Sequence, residues 1–374
     1  MRVLMQSRKT LFSVPGGDTI QILKTKEYLE QFGVTVDLSL NLEPSLEGYD
    51  LVHLFNITRP QETWTQARNA KRQNVPFVFS TIYVDYSEYE KYARTGVPGF
   101  FTRHLPKRAT EVFKILGRVA LNREMHRGLL PLWKGMTKLV QEICSDATGI
   151  LPNSASEFER LKNDFVLNVD EDRITIIPNG YDEEIFSDDF DSITVNEELL
   201  KSVRGSVLCV ARIEGRKNQH NLIHAFRDLP YQLVLIGTPA PNHMRYYRSI
   251  LKDLPRNVRV IGAVPHEQLP LIYRVARVHV LPSWMETTGL STLEAAAMGC
   301  NIVVTRKGDT EEYFGDYAFY CEPDNVDSIR TAVQQAYETP VDPSFRKHVM
   351  ENFTWKIAGR MTLSAYEKAL RSQE

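Results

Sequence analysis

The sequence predicts an α/β protein of two Rossmann-like domains facing across a cleft, and three observations predict it. Short apolar runs alternate with amphipathic stretches along most of the chain, the pattern of βα units sharing a parallel sheet. The chain has 374 residues, room for two ordinary domains, since single cores seldom grow past about 250 to 300 residues. Between the halves, Asp182–Asn196 is rich in Asp and Ser and poor in large apolar residues, as a linker would be.

In the first half the apolar runs expected as strands are Arg2–Met5, Val34–Leu38, Asp50–Phe55, Pro76–Thr81, Gly149–Pro152 and Arg173–Ile177. The second half alternates more cleanly, with strands expected at Ser206–Val210, Gln232–Ile236, Val258–Ile261, Val278–Leu281, Asn301–Val304 and Ala318–Cys321. The expected domains are residues 1–185 and 197–354. Open parallel sheets bind ligands beyond the carboxyl ends of their strands, which is where the motifs below fall. From Tyr83 to Leu139 the alternation gives way to an aromatic and basic insertion, with Arg103, Lys107, Arg108 and Arg118 among its cations.

Composition narrows the function. A formal net charge of −2 gives no global argument for a nucleic-acid partner. The polar start Met1-Arg-Val-Leu-Met-Gln6 does not read as a signal peptide, and no apolar run reaches the 18 or so residues of a membrane span, so a cytoplasmic protein is expected. Cys144, Cys209, Cys300 and Cys321 are far apart in apolar surroundings, which reads as buried thiols rather than a metal or disulfide framework. His53 lies inside a strand pattern and reads as a core histidine.

The most informative segment is Glu286-Thr-Thr-Gly-Leu-Ser-Thr-Leu-Glu294, directly after an apolar strand. A helix beginning near Gly289 would carry Glu294 on its second turn and leave Glu286 in the preceding loop. The amides of Gly289, Leu290 and Ser291 would then be the donors of a helix N-terminus, a seat for phosphate between two carboxylates. A nucleotide-sugar offers both hydroxyls and a diphosphate. Arg212 and Lys217 follow the strand ending at Val210 and suit a diphosphate clamp, although Glu214 and Arg216 beside them equally suit a solvated loop. Gly16 and Gly17, after the first strand, permit close backbone approach to a ligand or simply make a tight turn. They lack the spacing of a dinucleotide-binding fingerprint. Val264 and His266 open a helix and either cap it or line a nucleobase pocket. Paired carboxylates also occur in glycoside hydrolases, but those need neither phosphate-binding amides nor a basic pair.

In this order the motifs resemble the retaining GT-B glycosyltransferases of family four. The resemblance covers nearly the whole chain. It rests on Gly16-Gly17, Asp50-Leu-Val-His-Leu-Phe55, Ile150-Leu-Pro-Asn-Ser154, Ile177-Pro-Asn-Gly-Tyr-Asp182, Arg212 with Lys217, and Glu286 to Glu294 continuing as Ala-Ala-Ala-Met-Gly299. It implies that Glu294 holds ribose hydroxyls, Glu286 meets the transferred sugar, and Arg212 and Lys217 neutralise the diphosphate of a UDP- or GDP-sugar. It implies a glycan or lipid-linked acceptor, surface polysaccharide or lipopolysaccharide assembly, and neither metal nor cofactor. It also implies that residues 355–374 pack back on the first domain. The sequence departs from relatives in two places: Tyr83, with Asp85 nearby, stands where many carry a His, and Thr287-Thr288 replaces a common Gly-Phe. The basic insertion is assigned either acceptor and anionic-membrane contact or the role of a helical cap with solvated charges. Two other activities fit the same architecture: a nucleotide-sugar epimerase and a non-catalytic nucleotide-sugar-binding subunit.

Overall fold

A computed structural model of the chain describes residues 1–93, 135–190, 193–240, 243–252 and 254–372. Arg103, Lys107, Arg108 and Arg118 of the basic insertion lie outside the described residues. The described chain divides into two compact units: residues 1–84, 135–179 and 355–372 form the first, and residues 85–93 with 180–354 form the second.

The first unit holds a five-stranded parallel sheet of β1 (Arg2–Gln6), β2 (Thr35–Ser39), β3 (Leu51–Phe55), β4 (Phe77–Ser80) and β5 (Gly149–Ile150), in the order β2-β1-β3-β4-β5. Every residue of β3 and β4 is buried, as expected of strands covered on both faces. Its helices are α1 (Gly17–Gln31), α2 (Pro60–Arg72), α3 (Met136–Asp146) and α4 (Ala155–Phe165). The segment Arg173–Ile177, expected as a sixth strand, is not one. Residues 171–173 form a turn of 3-10 helix, and the rest meets the sheet only through a bridge from Ile174 to Ile150. β5 is just two residues long, so its outer edge offers too few groups to build a ladder on.

The second unit holds a six-stranded parallel sheet of β6 (Val207–Val210), β7 (Leu233–Ile236), β8 (Val258–Ile261), β9 (Val278–Leu281), β10 (Asn301–Thr305) and β11 (Phe319–Cys321). The order is β11-β10-β9-β6-β7-β8, so successive strands run outward on both sides of the β9–β6 pair. Reversal of strand order opens a crevice at the carboxyl ends of such a pair. Helices α5 (Glu197–Val203), α6 (Gln219–Ala225), α7 (Met244–Leu251), α8 (Leu269–Val275), α9 (Leu290–Ala297), α10 (Thr310–Phe314), α11 (Val326–Glu338) and α12 (Pro343–Asn352) complete the unit. Two apolar clusters flank the sheet, one including Leu208, Val234 and Leu293, the other Val207, Leu235 and Val333.

The last helix, α13 (Trp355–Arg371), belongs to the first unit and packs on α1. Gly359 permits the approach: a Cβ there would come within 2.7 Å of the Tyr28 Cβ. Tyr366 of α13 bonds His53 Nδ1 at 2.6 Å, while Ser80 bonds His53 Nε2 at 2.8 Å. Burial holds the His53 imidazole down at about 3, so it is a neutral core histidine. The four cysteines are buried free thiols, each pushed up to about 12 by burial. Among the described residues no helix is long and apolar enough to cross a membrane.

Candidate active site

A cluster of buried and partly buried charges in the second unit lies where β6 and β9 end. After Val210 the chain makes a turn of 3-10 helix at Gly215–Lys217, stopped by Asn218 in the left-handed conformation at φ 59°. The Asn218 side chain donates to the carbonyls of Pro282 at 3.1 Å and Pro323 at 2.7 Å, fastening this loop beside the one that leaves β9. Fixed in this way, Lys217 Nζ reaches Glu286 Oε1 at 2.5 Å. Arg216 donates to the same oxygen at 3.3 Å, to the Met285 carbonyl at 2.9 Å and to Glu214 Oε1 at 3.1 Å.

Two cations therefore share one carboxylate. Burial by itself would raise the Glu286 carboxyl, but Lys217 and Arg216 outweigh it and bring it down to about 2. The effects on the two cations differ in sign. Lys217 is lowered, because burial and repulsion from Arg216 exceed the pull of Glu286, whereas Arg216 is raised despite burial by Glu286 and its other anionic neighbours. Glu286 gains from both cations while the cations repel one another, so Glu286 is firmly ionised and Lys217 is the group that would gain from another anion.

Backbone geometry fixes Glu286 as tightly as charge does. Its amide donates to the Lys307 carbonyl at 3.0 Å, and its carbonyl accepts from the Asp309 amide at 3.0 Å. This clip requires Gly308, whose φ is 104° and where a Cβ would lie 1.8 Å from the Glu286 carbonyl oxygen. Three residues later Gly289, at φ 75°, caps α9. The turn sets the first-turn amides of Leu290 and Ser291 at the helix N-terminus, the geometry of an anion seat. Glu294 sits one turn further on and takes different partners from Glu286: His266 Nε2 at 2.9 Å and the Tyr273 hydroxyl at 3.4 Å. His266, next to the edge of Phe186, thus touches a site carboxylate, and Val264 packs against the neighbouring apolar cluster.

Among the residues singled out from the sequence, Glu286, Lys217, Gly289, Leu290, Ser291, Glu294 and His266 all lie in the second unit. Arg212 is placed differently from Lys217. Its side chain is 42 % exposed and 3.6 Å from Glu214, so it flanks the buried cluster rather than joining it. The cation that does join is Arg216, which, with Glu214, had the reading of a solvated loop. No spacing rule distinguishes Arg212 from Arg216 as the one that turns inward; the decision lies with the Met285 carbonyl and Glu286, about 70 residues away.

Gly16, Gly17, Tyr83 and the start of α1 lie in the first unit. Gly16 precedes α1 and its amide donates to Thr19 Oγ1 at 3.0 Å, while Gly17 has open space where a Cβ would be. Arg8 and Asn56 both bond Asp18 in the first turn of α1, at 2.7 and 2.8 Å, which braces this loop. Tyr83 and Asp85 are engaged locally. The Tyr83 amide donates to Glu157 at 2.8 Å, its hydroxyl donates to Asp164 at 2.5 Å, and its ring meets the edge of Phe165. Asp85 accepts from the Ser87 amide at 2.9 Å and hydroxyl at 2.8 Å.

Residues 194–353, nearly all of the second unit, match the family described as Glycosyl transferases group 1. The chain is similar to that family over these residues. It is 25 % identical over 295 residues to the O-antigen chain mannosyltransferase B of Escherichia coli, covering 75 % of each chain. It is 24 % identical over 295 residues to an MMP alpha-(1->4)-mannosyltransferase of Mycolicibacterium hassiacum, covering 74 % of this chain and 67 % of that one. Among solved structures, sucrose-phosphate synthase from Thermosynechococcus elongatus superposes with a TM-score of 0.74 at 17 % identity, over 100 % of both chains. Anabaena HepE in complex with UDP gives 0.66 at 14 % identity, over 98 % of this chain and 100 % of that one. These likenesses identify the fold as GT-B, two Rossmann-like domains, as the sequence predicts.

Proposed function

We propose that this protein moves a sugar from a nucleoside diphosphate to a glycan or lipid-linked acceptor with retention of anomeric configuration and without a metal ion. Surface polysaccharide or lipopolysaccharide assembly is the setting that fits, given an O-antigen mannosyltransferase among its relatives. UDP- and GDP-linked sugars are the donors considered, a nucleotide-linked mannose first among them because two relatives are mannosyltransferases.

The observation that carries this reading is the state of Glu286. A carboxylate held at about 2 by two partly buried cations is a poor proton donor and a weak base at neutral pH, which argues against a general acid or base role and for a positioning one. On this reading the bond from the anomeric carbon to the diphosphate oxygen breaks, and a bond to the acceptor hydroxyl oxygen forms on the same face. The hydroxyl proton passes to the departing phosphate. Lys217, Arg216 and Arg212 offset the charge that grows on the leaving group, with the α9 N-terminus adding its dipole. Glu294 takes the ribose hydroxyls, exchanging its contact with His266 for them.

The test is product analysis. Purified protein, given a sugar nucleotide and a mixture of glycan and lipid-linked acceptors, should yield a glycoside whose anomeric proton coupling matches that of the donor, with the rate maintained in EDTA. An inverted product, an epimerised donor with no acceptor consumed, or loss of activity with the chelator would each contradict a part of the proposal.

A further inference from the structure

Residues 85–93 follow β4 in sequence yet belong to the second unit, and the side chains of Glu88 and Tyr89 meet the two loops that hold Glu286. Glu88 pairs with Lys307 at 3.0 Å, and it is the Lys307 carbonyl that accepts from the Glu286 amide. Tyr89 lies over Gly215: a Cβ added there would come within 2.8 Å of the Tyr89 hydroxyl. Gly215 opens the turn that carries Arg216 and Lys217, the two cations on the Glu286 carboxylate. Tyr86, in the same segment, is half-buried, and burial raises its phenol.

We propose that Glu88 and Tyr89 form a clasp that positions Glu286, holding the Lys307 loop on one side and the Gly215–Lys217 turn on the other. The clasp rests on the reading of Glu286 and its cations as a donor site. It leaves the carboxylate contacts themselves to Lys217 and Arg216, so its residues act through others and are positioning residues rather than catalytic ones. The Glu88–Lys307 pair is 50 % and 32 % exposed, and an exposed pair is weak by itself. Its effect here comes from geometry, because together with Tyr89 it links the Lys307 loop to the Gly215–Lys217 turn, and both must be in place for Glu286 to be held at backbone and side chain.

The experiment is a charge swap and a size swap in the full chain, read by calorimetric affinity for whichever of UDP, GDP, ADP and CMP the unsubstituted protein binds, with the melting midpoint of the free protein measured beside it. Glu88→Lys and Lys307→Glu should each weaken nucleotide binding roughly two- to five-fold, the range of an exposed ion pair, and the double swap should recover most of the loss. Gly215→Ala should weaken binding by pushing on the Tyr89 hydroxyl, and adding Tyr89→Phe should relieve it. Midpoints that stay level while affinity moves show that the effect is not loss of folding. Single variants that bind as the unsubstituted protein does, or more tightly, overturn the clasp alone, as does a double swap no better than its worse parent. If the unsubstituted protein binds none of the four nucleotides, the donor-site reading fails and the clasp with it.

Discussion

Glu286 shows how one residue can be legible in a sequence while its circumstances are not. Its place before a helix start, eight residues from a second Glu, marks it; its partners come from a loop 70 residues earlier. Replacing it by Gln keeps the size and removes the charge, leaving Lys217 and Arg216 around a neutral amide. Transfer should fall by about 100-fold or more, the scale on which removal of one preorganised electrostatic group acts, and initial rates at saturating donor would read it. A loss under about five-fold would take Glu286 out of the reaction. Arg216 was hidden because adjacent cations on a polar loop usually are solvated, and a sequence does not show that Met285 and Glu214 await one of them. Tyr83 and Asp85 have local partners that the sequence does not announce. Their position after β4 suggests a site role, and in the fold they bond Glu157, Asp164 and Ser87.

At the level of elements, two glycines make opposite predictions. Gly308 has φ 104° and no room for a Cβ beside the Glu286 carbonyl, so Gly308→Ala should cost on the order of 2 to 4 kcal/mol and loosen Glu286, measured by denaturant unfolding together with activity. Gly17 opens α1 with open space around its Cβ position, so Gly17→Ala should leave stability level or raise it by up to about 1 kcal/mol. If Gly17 lets a ligand approach its backbone, the same substitution lowers activity while the fold is unaffected. Most strands were readable because parallel strands buried on both faces become short unbroken apolar runs, as Val207–Val210 and Leu233–Ile236 do. Arg173–Ile177 has the same appearance and is not a strand, because pairing depends on the neighbour and β5 ends after Ile150. The clip from Glu286 to Gly308 was not readable, since a glycine in a loop carries no mark of what it approaches.

At the scale of the whole molecule, the described residues include two buried neutral histidines, His53 in the first unit and His279 in the second. Burial lowers both to about 3, with Lys217 adding to the effect at His279. In the unfolded chain an ordinary histidine titrates near 6.5, so below that pH the unfolded state binds protons that the folded state does not. Stability is therefore complete above about pH 6.5 and lost as pH falls toward 3, at about 1.4 kcal/mol per pH unit for each histidine. At pH 5 the two together should cost about 4 kcal/mol relative to pH 7, visible as a lower melting midpoint; an unchanged midpoint would show that one or both titrate normally. Glu286 contributes in the same direction at lower pH, between its ordinary value of 4.5 and about 2. The two-sheet architecture itself was legible from the alternation of apolar runs, whereas the assignment of residues 85–93 to the second unit was not, because it is made by contacts with Gly215 and Lys307 far along the chain.

The central claim is that the second unit binds a nucleoside-diphosphate sugar between Lys217, the start of α9 and Glu294. A ligand that binds only the folded state raises the melting midpoint by mass action. Melting the protein with UDP-, GDP-, ADP- and CMP-sugars should give a clear rise with one class of diphosphate donor, reduced by Glu294→Ala and by Lys217→Gln. A flat response to all four, or a rise that both substitutions leave intact, would contradict it.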